Sequence, residues 1–168
     1  MVNNKIHPLD IINGVGAGLC LVDRDFRIVW INKHLADWFG DAKTLCGRHC
    51  YGVFERRKHV CRGCPTARVF ETGRVHTARR IGFTKEGKKK YFQLTVSPVK
   101  DSGNRVDFVL ELVQDITDKV FSERRNLKIT RKLKNMYQHL SLVNKKLRQN
   151  VHRLKVITIK DLIEYRIN

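Results

Sequence analysis

The chain has 168 residues, 42% of them apolar and 30% charged, with a formal net charge of +18. That balance excludes wholesale disorder, and no apolar run approaches the roughly 20 residues of a membrane span. The opening "MVNNKIHPLD" lacks a basic stretch leading into an apolar segment, so no secretory leader is expected and the cytoplasm is the expected compartment. The large positive charge favours acidic partners, nucleic acid or an anionic surface, and says nothing about fold.

In chain order, "GLCLVDRDFRIVWIN" predicts two strands joined by a turn at Asp23–Asp25. Asn32 then caps a helix "KHLADWF" that Gly40 stops. Residues 41–72 predict short helical pieces, the last of them opening at Pro65 and closing at Gly73. Three strands follow, "RVHTARRIGFT", "KKYFQLTVSPV" and "RVDFVLELVQDIT", separated by the turns "KEGK" and "DSGN". From about residue 118, Gly and Pro vanish and the pattern becomes helical. This order predicts an α+β fold, a five-stranded antiparallel sheet with helices on one face, followed by a long C-terminal coiled-coil helix.

The stretch from Gly18 to Gly40, with Asn32 inside it, and the closing "VQDIT" from Val113 to Thr117 resemble a PAS domain over about residues 9–117. The segment "GRHCYGVFERRKHVCRGCP" is similar to a cysteine-bearing insert of some bacterial PAS domains. The resemblance implies three parts: an N-terminal tail over 1–8, a PAS sensor domain over 9–117 and a basic signalling helix over 118–168. It implies sensing or dimerisation rather than catalysis, and a role in signal transmission for Asp115, Ile116 and Thr117, where such domains hand over to a helix.

Four of the five cysteines, Cys46, Cys50, Cys61 and Cys64, occupy nineteen positions with the spacing C-x3-C-x10-C-x2-C. In the cytoplasm disulfides rarely persist. Two short pairs can converge on one ion, because residues four apart share a helical face and C-x2-C spans a single turn. The expected cofactor is an iron–sulfur cluster or zinc, and the resemblance raises the former because some PAS sensors read oxygen or redox state that way. Arg48, His49, Arg56, Arg57, Lys58, His59 and Arg62 surround the thiols and are expected to lower their pKa values. A thiol–disulfide switch through Cys61 and Cys64, or plain structural cysteines, stay open. Cys20 sits in an apolar strand and reads as core. No flavin signature is present, and His34, His49, His59 and His76 are haem-ligand candidates by composition only.

In the tail, Ile129, Leu133, Met136, Leu140, Val143 and Leu147 step by 4, 3, 4, 3, 4, a heptad seam. Val151 and Leu154 extend it after a stutter-like step. The seam predicts a homodimer. Between Glu123 and Asp161 there is no acidic residue, so no salt bridge can form between flanking seam positions. His139 is followed by Leu and His152 by Arg, which does not match a phospho-accepting histidine, and no Gly-rich nucleotide loop is present, so no enzyme activity is expected. The reading is a cytoplasmic PAS module sensing redox state, oxygen or metal through four cysteines and signalling through a dimeric helix. The alternative is a nucleic-acid-binding or scaffolding protein whose PAS domain only dimerises, or one whose basic helix meets an acidic protein.

Overall fold

The structure, a computed structural model, describes residues 7–167, with side chains described through Leu154. It divides into two compact units, Met1–Val120 and Phe121–Asn168. The expected tail over 1–8 lies outside the described residues up to position 6, and its last residue, Pro8, instead opens a short helix, α1 (Pro8–Gly14). His7 caps that helix: its ring accepts from the Leu9 N–H, and the Asp10 carboxylate reaches back to the His7 N–H at 3.1 Å.

The first unit is a five-stranded antiparallel sheet in the order β2-β1-β5-β4-β3. Its strands are β1 (Gly18–Asp23), β2 (Ile28–Ile31), β3 (His76–Phe83), β4 (Lys89–Lys100) and β5 (Val106–Asp115). Between β2 and β3 run α2 (Lys33–Phe39), α3 (Ala42–Leu45), α4 (Cys50–Phe54) and α5 (Pro65–Thr72). The sheet register sets Cys20 beside Glu111, Glu111 beside Val96, Leu94 beside Val113, and Arg80 beside Phe92. Paired residues share a face, so these side chains stand together on one side of the sheet. Cys20, Val22, Val96 and Val109 on that side enclose the core with Leu35 of α2 and Val69 of α5.

Asn32 ties three elements together. Its side-chain oxygen accepts from Leu35 N–H at 3.0 Å, capping α2, and from Leu19 N–H of β1 at 2.9 Å, while its amide donates to the Ala17 carbonyl at 3.0 Å. Asn32→Ala leaves these groups without a partner in a site only 1% exposed. Each buried orphan costs about 1–3 kcal/mol, so the variant is expected to lose about 3 kcal/mol in urea unfolding followed by core tryptophan fluorescence. A loss below about 1 kcal/mol would mean that the Asn32 bonds are replaced by water.

The helix α6 (Thr117–Ile167) is continuous over 51 residues; its first residues, Thr117–Val120, belong to the first unit and the rest to the second. Every seam residue from Ile129 to Leu154 is between 46% and 68% exposed in the single chain.

Candidate functional site

The segment between β2 and α5 carries the cysteines, and its backbone is fixed by the sheet edge. Arg27 and His49 form an isolated antiparallel bridge, Ile28 N–H donates to Arg48 O at 2.9 Å, and Cys50 N–H donates to Phe26 O at 2.9 Å. This turns Cys50, the first residue of α4, into the core, where it is 7% exposed. Cys46 ends α3 and is exposed. Gly47 follows with φ of +81°, a conformation that breaks the helix, so Cys46 and Cys50 do not share one helical face as their spacing suggests. At the far end of the loop, Gly63 takes φ of +62° between Cys61 and Cys64. The turn leaves Cys61 half-buried and Cys64 buried at the start of α5.

Cys50, Cys61 and Cys64 thus line one cavity of about 50 Å³ between the helices and the sheet. Apolar walls come from Leu35, Phe39, Phe92 and Val113, and polar ones from Glu55, Thr66, Arg80 and Glu111. Cys46 is not part of the lining, and neither is any of His34, His49, His59 and His76. Gly82 forms part of the floor, since a Cβ there would stand 2.9 Å from the Phe92 ring and 3.2 Å from the Phe54 carbonyl oxygen. Among the described residues, no three His, Cys, Asp or Glu side chains are gathered closely enough to hold a metal ion.

The electrostatics run opposite to the expectation from the surrounding cations. Burial, followed by the charges of Glu111, Cys64 and Cys61, pushes the Cys50 thiol well up. Cys61 is pushed up to about 12 by burial, by the Glu55 charge and by its hydrogen bond to Glu55, with Arg57 opposing weakly. Burial also pushes Cys20 up. Arg48, Arg56, Arg57, Lys58, His59 and Arg62 are exposed, where water screens them, whereas the carboxylates stand against the thiols.

Glu55, Thr66, Arg80 and Glu111 escaped the sequence reading. Arg57 donates to Glu55 at 2.9 Å, and Arg80 lies 3.6 Å from the other Glu55 oxygen. Arg80 also donates to the carbonyls of Arg62 and Gly63, so it pins the loop between the thiols to strand β3. Its Nε is buried without a hydrogen-bond acceptor among the described residues. Thr66 donates to Glu111 at 2.5 Å. Glu111 was detectable in principle: it occupies an inward register between Val109 and Val113.

At the junction, Lys90 Nζ donates to Asp115 at 2.6 Å, Thr117 N–H donates to the other Asp115 oxygen at 2.9 Å, and Tyr91 N–H donates to the Thr117 hydroxyl at 3.0 Å. Ile116 N–H donates to Tyr91 O at 2.8 Å. Burial pushes the Asp115 carboxyl up, but the hydrogen bonds with Lys90 and Thr117 outweigh it and hold the group below its ordinary value. Asp115, Ile116 and Thr117 therefore bind the start of α6 to strand β4.

A family model described as a PAS fold matches residues 12–120. The chain belongs to the PAS family. An RNA-binding light-oxygen-voltage receptor superposes with a TM-score of 0.61 at 16% identity, over 70% of this chain and 35% of that one. A PAS domain from Colwellia psychrerythraea gives 0.53 at 15%, over 62% of this chain and 89% of that one. Vibrio cholerae VqmA, described as a dimer with a target DNA, gives 0.55 at 18%, over 66% of this chain and 51% of that one. The chain spans about a third of the RNA-binding receptor and about half of VqmA. No curated protein matches the sequence. Among the described residues, no helix is long and apolar enough to cross a membrane.

Proposed function

We propose that this PAS domain is a cytoplasmic sensory module, not an enzyme, whose input is a thiophilic metal ion or iron–sulfur cluster taken up at the thiol cavity. Through that group it reports metal, oxygen or redox state. The observation that carries the reading is the convergence of Cys50, Cys61 and Cys64 on one cavity inside a sensory fold. The raised Cys50 and Cys61 thiols favour a cation over a free thiol switch. A protonated thiol reacts poorly with oxidants, whereas a bound metal supplies positive charge amid carboxylates and drives deprotonation. The side chains would have to close on the ion, so uptake would order the loop over residues 55–63, with Cys46 the further thiol nearest in sequence. Zinc would staple that loop, and an iron–sulfur cluster would add redox chemistry there. The loop is tied through Arg80 to β3, β3 pairs with β4, and β4 holds Asp115 and Thr117, which gives a path of hydrogen bonds to α6. Output is proposed to pass through a dimeric α6. The solved neighbours include receptors described as RNA-binding or associated with DNA, which supports an output separate from the sensor.

The test is metal, iron and sulfide content together with the optical spectrum of anaerobically purified protein. A bound metal is expected. Cys50→Ser, Cys61→Ser and Cys64→Ser should each abolish it, Cys46→Ser should weaken it less, and Cys20→Ser should leave it. A brown chromophore bleached by air identifies a cluster, and a colourless protein with zinc identifies a staple. Metal-free protein whose thiols titrate independently would sink the reading.

A further inference from the structure

We propose that the basic face of α6 formed by positions f, b and g, around and opposite its apolar seam, binds the phosphate backbone of duplex nucleic acid independently of sequence. In the heptad register of the seam, Leu133, Leu140 and Leu147 take position a, while Ile129, Met136 and Val143 take position d. Arg131, Lys132 and Lys134 then occupy f, g and b. Two heptads later, Lys145, Lys146 and Arg148 occupy f, g and b again. The same triad therefore recurs at the same angle around the helix, about 21 Å further along its axis at 1.5 Å per residue. No Lys or Arg from 124 to 148 falls at a, d or e. The helix is continuous through both triads, and all six side chains are exposed.

What this face would meet follows from charge and composition. From Arg124 to Lys160 no carboxylate offsets the cations, so local ion pairing cannot use them up. A duplex presents one phosphate charge per about 1.7 Å of axis, or about 12 over the distance between the triads, enough acceptors for both. Single strands are bound chiefly by stacking bases on aromatic rings, yet Tyr137 is the one Phe, Trp or Tyr from Ser122 to Leu154, and it sits at e, beside the seam. Phosphate contacts by Lys and Arg carry no sequence information, hence the sequence independence. The four cations at f and b lie away from the seam and stay open whether or not it is paired, while Lys132 and Lys146 at g flank it, as Tyr137 does at e. The inference goes beyond the sensory reading and does not depend on the thiol cavity.

The experiment titrates the full chain against a labelled, mixed-sequence DNA duplex of about 20 base pairs, two helical turns, across a salt series. Binding is expected at low salt, with log K falling against log salt at a slope of about −5 or steeper for six phosphate contacts. Lys132→Gln, Lys134→Gln, Lys145→Gln and Lys146→Gln together should weaken binding about 100-fold at about 50 mM salt and flatten the slope by about 3–4. A control removes four exposed cations from the first unit, through Lys43→Gln, Arg74→Gln, Lys85→Gln and Lys88→Gln, and should lose less than about 3-fold. Circular dichroism checks that both variants keep their helix. Equal losses in the two variants would reduce the effect to net charge and overturn the assigned face. Capture of phosphatidylserine vesicles without duplex binding would replace nucleic acid by a lipid surface, and a strong preference between unrelated duplexes would overturn sequence independence.

Discussion

Leu140→Asp combined with Leu147→Asp is expected to turn a dimer into a monomer at micromolar concentration while the PAS unit stays folded. Both leucines occupy the a position of the seam, and both are at least 60% exposed in the single chain, so nothing within the chain covers them. The seam from Ile129 to Leu154 runs about 38 Å along the helix, and an apolar stripe of that length is stable in water only against a partner. The seam supplies eight apolar residues per chain, from Ile129 to Leu154. Burying a leucine is worth about 1.5–3 kcal/mol, and the double variant removes four per dimer while placing four carboxylates in the interface. Half of that sum, about 3–6 kcal/mol, is a loss of about 100- to 10,000-fold in association. The core residues Cys20, Val22, Val96 and Val109 belong to the other unit, so near-native unfolding of the PAS domain is expected alongside. Light scattering measures the mass. A wild-type monomer at micromolar concentration would refute the seam.

The strands were legible because their turns carry unambiguous chemistry. Asp101 and Asn104 around Gly103, and Gly87 at φ +79°, stop the chain where expected. Asn32 and Gly73 were legible as caps for the same local reason. Helix α1 was not, although Pro8 at its first position and Asp10 two residues on are ordinary start signals, because its seven residues carry no buried side chain to give them a period. Within the site, the spacing of the cysteines was plain but their directions were not. Which thiol faces the cavity depends on the bridge between Arg27 and His49 and on the positive φ of Gly47, and both are tertiary facts. The sign of the thiol shifts was hidden for a similar reason. Cations adjacent in sequence point to water, while Glu111 reaches the thiols from a strand some sixty positions away.

Glu111→Gln is expected to make the PAS unit more stable than wild type as pH rises above the ordinary carboxyl value and to flatten its stability profile over that rise. Glu111 is 4% exposed, faces the core between Val109 and Val113, and takes one hydrogen bond, from Thr66. Burial raises its pKa, the Thr66 bond lowers it in part, and the Glu55 charge raises it further, for a net shift upward. In the unfolded chain the carboxyl ionises at its ordinary value. Below that value both states are protonated and the group has no effect. Between the ordinary and the raised value the folded state holds a proton that the unfolded state has released, so stability falls as pH rises. Glutamine keeps the shape and still accepts from Thr66, but has no proton to lose. Wild type should therefore lose stability across this window in urea unfolding, while the variant stays level and is the more stable of the two at its upper end. The Glu111 charge also raises Cys50 and Cys20, so the variant's Cys50 should react faster with a disulfide reagent at the upper end of the same window. Parallel stability profiles for the two proteins would show that Glu111 is already ionised in the fold, with the cavity supplying solvation that the Thr66 bond alone does not provide.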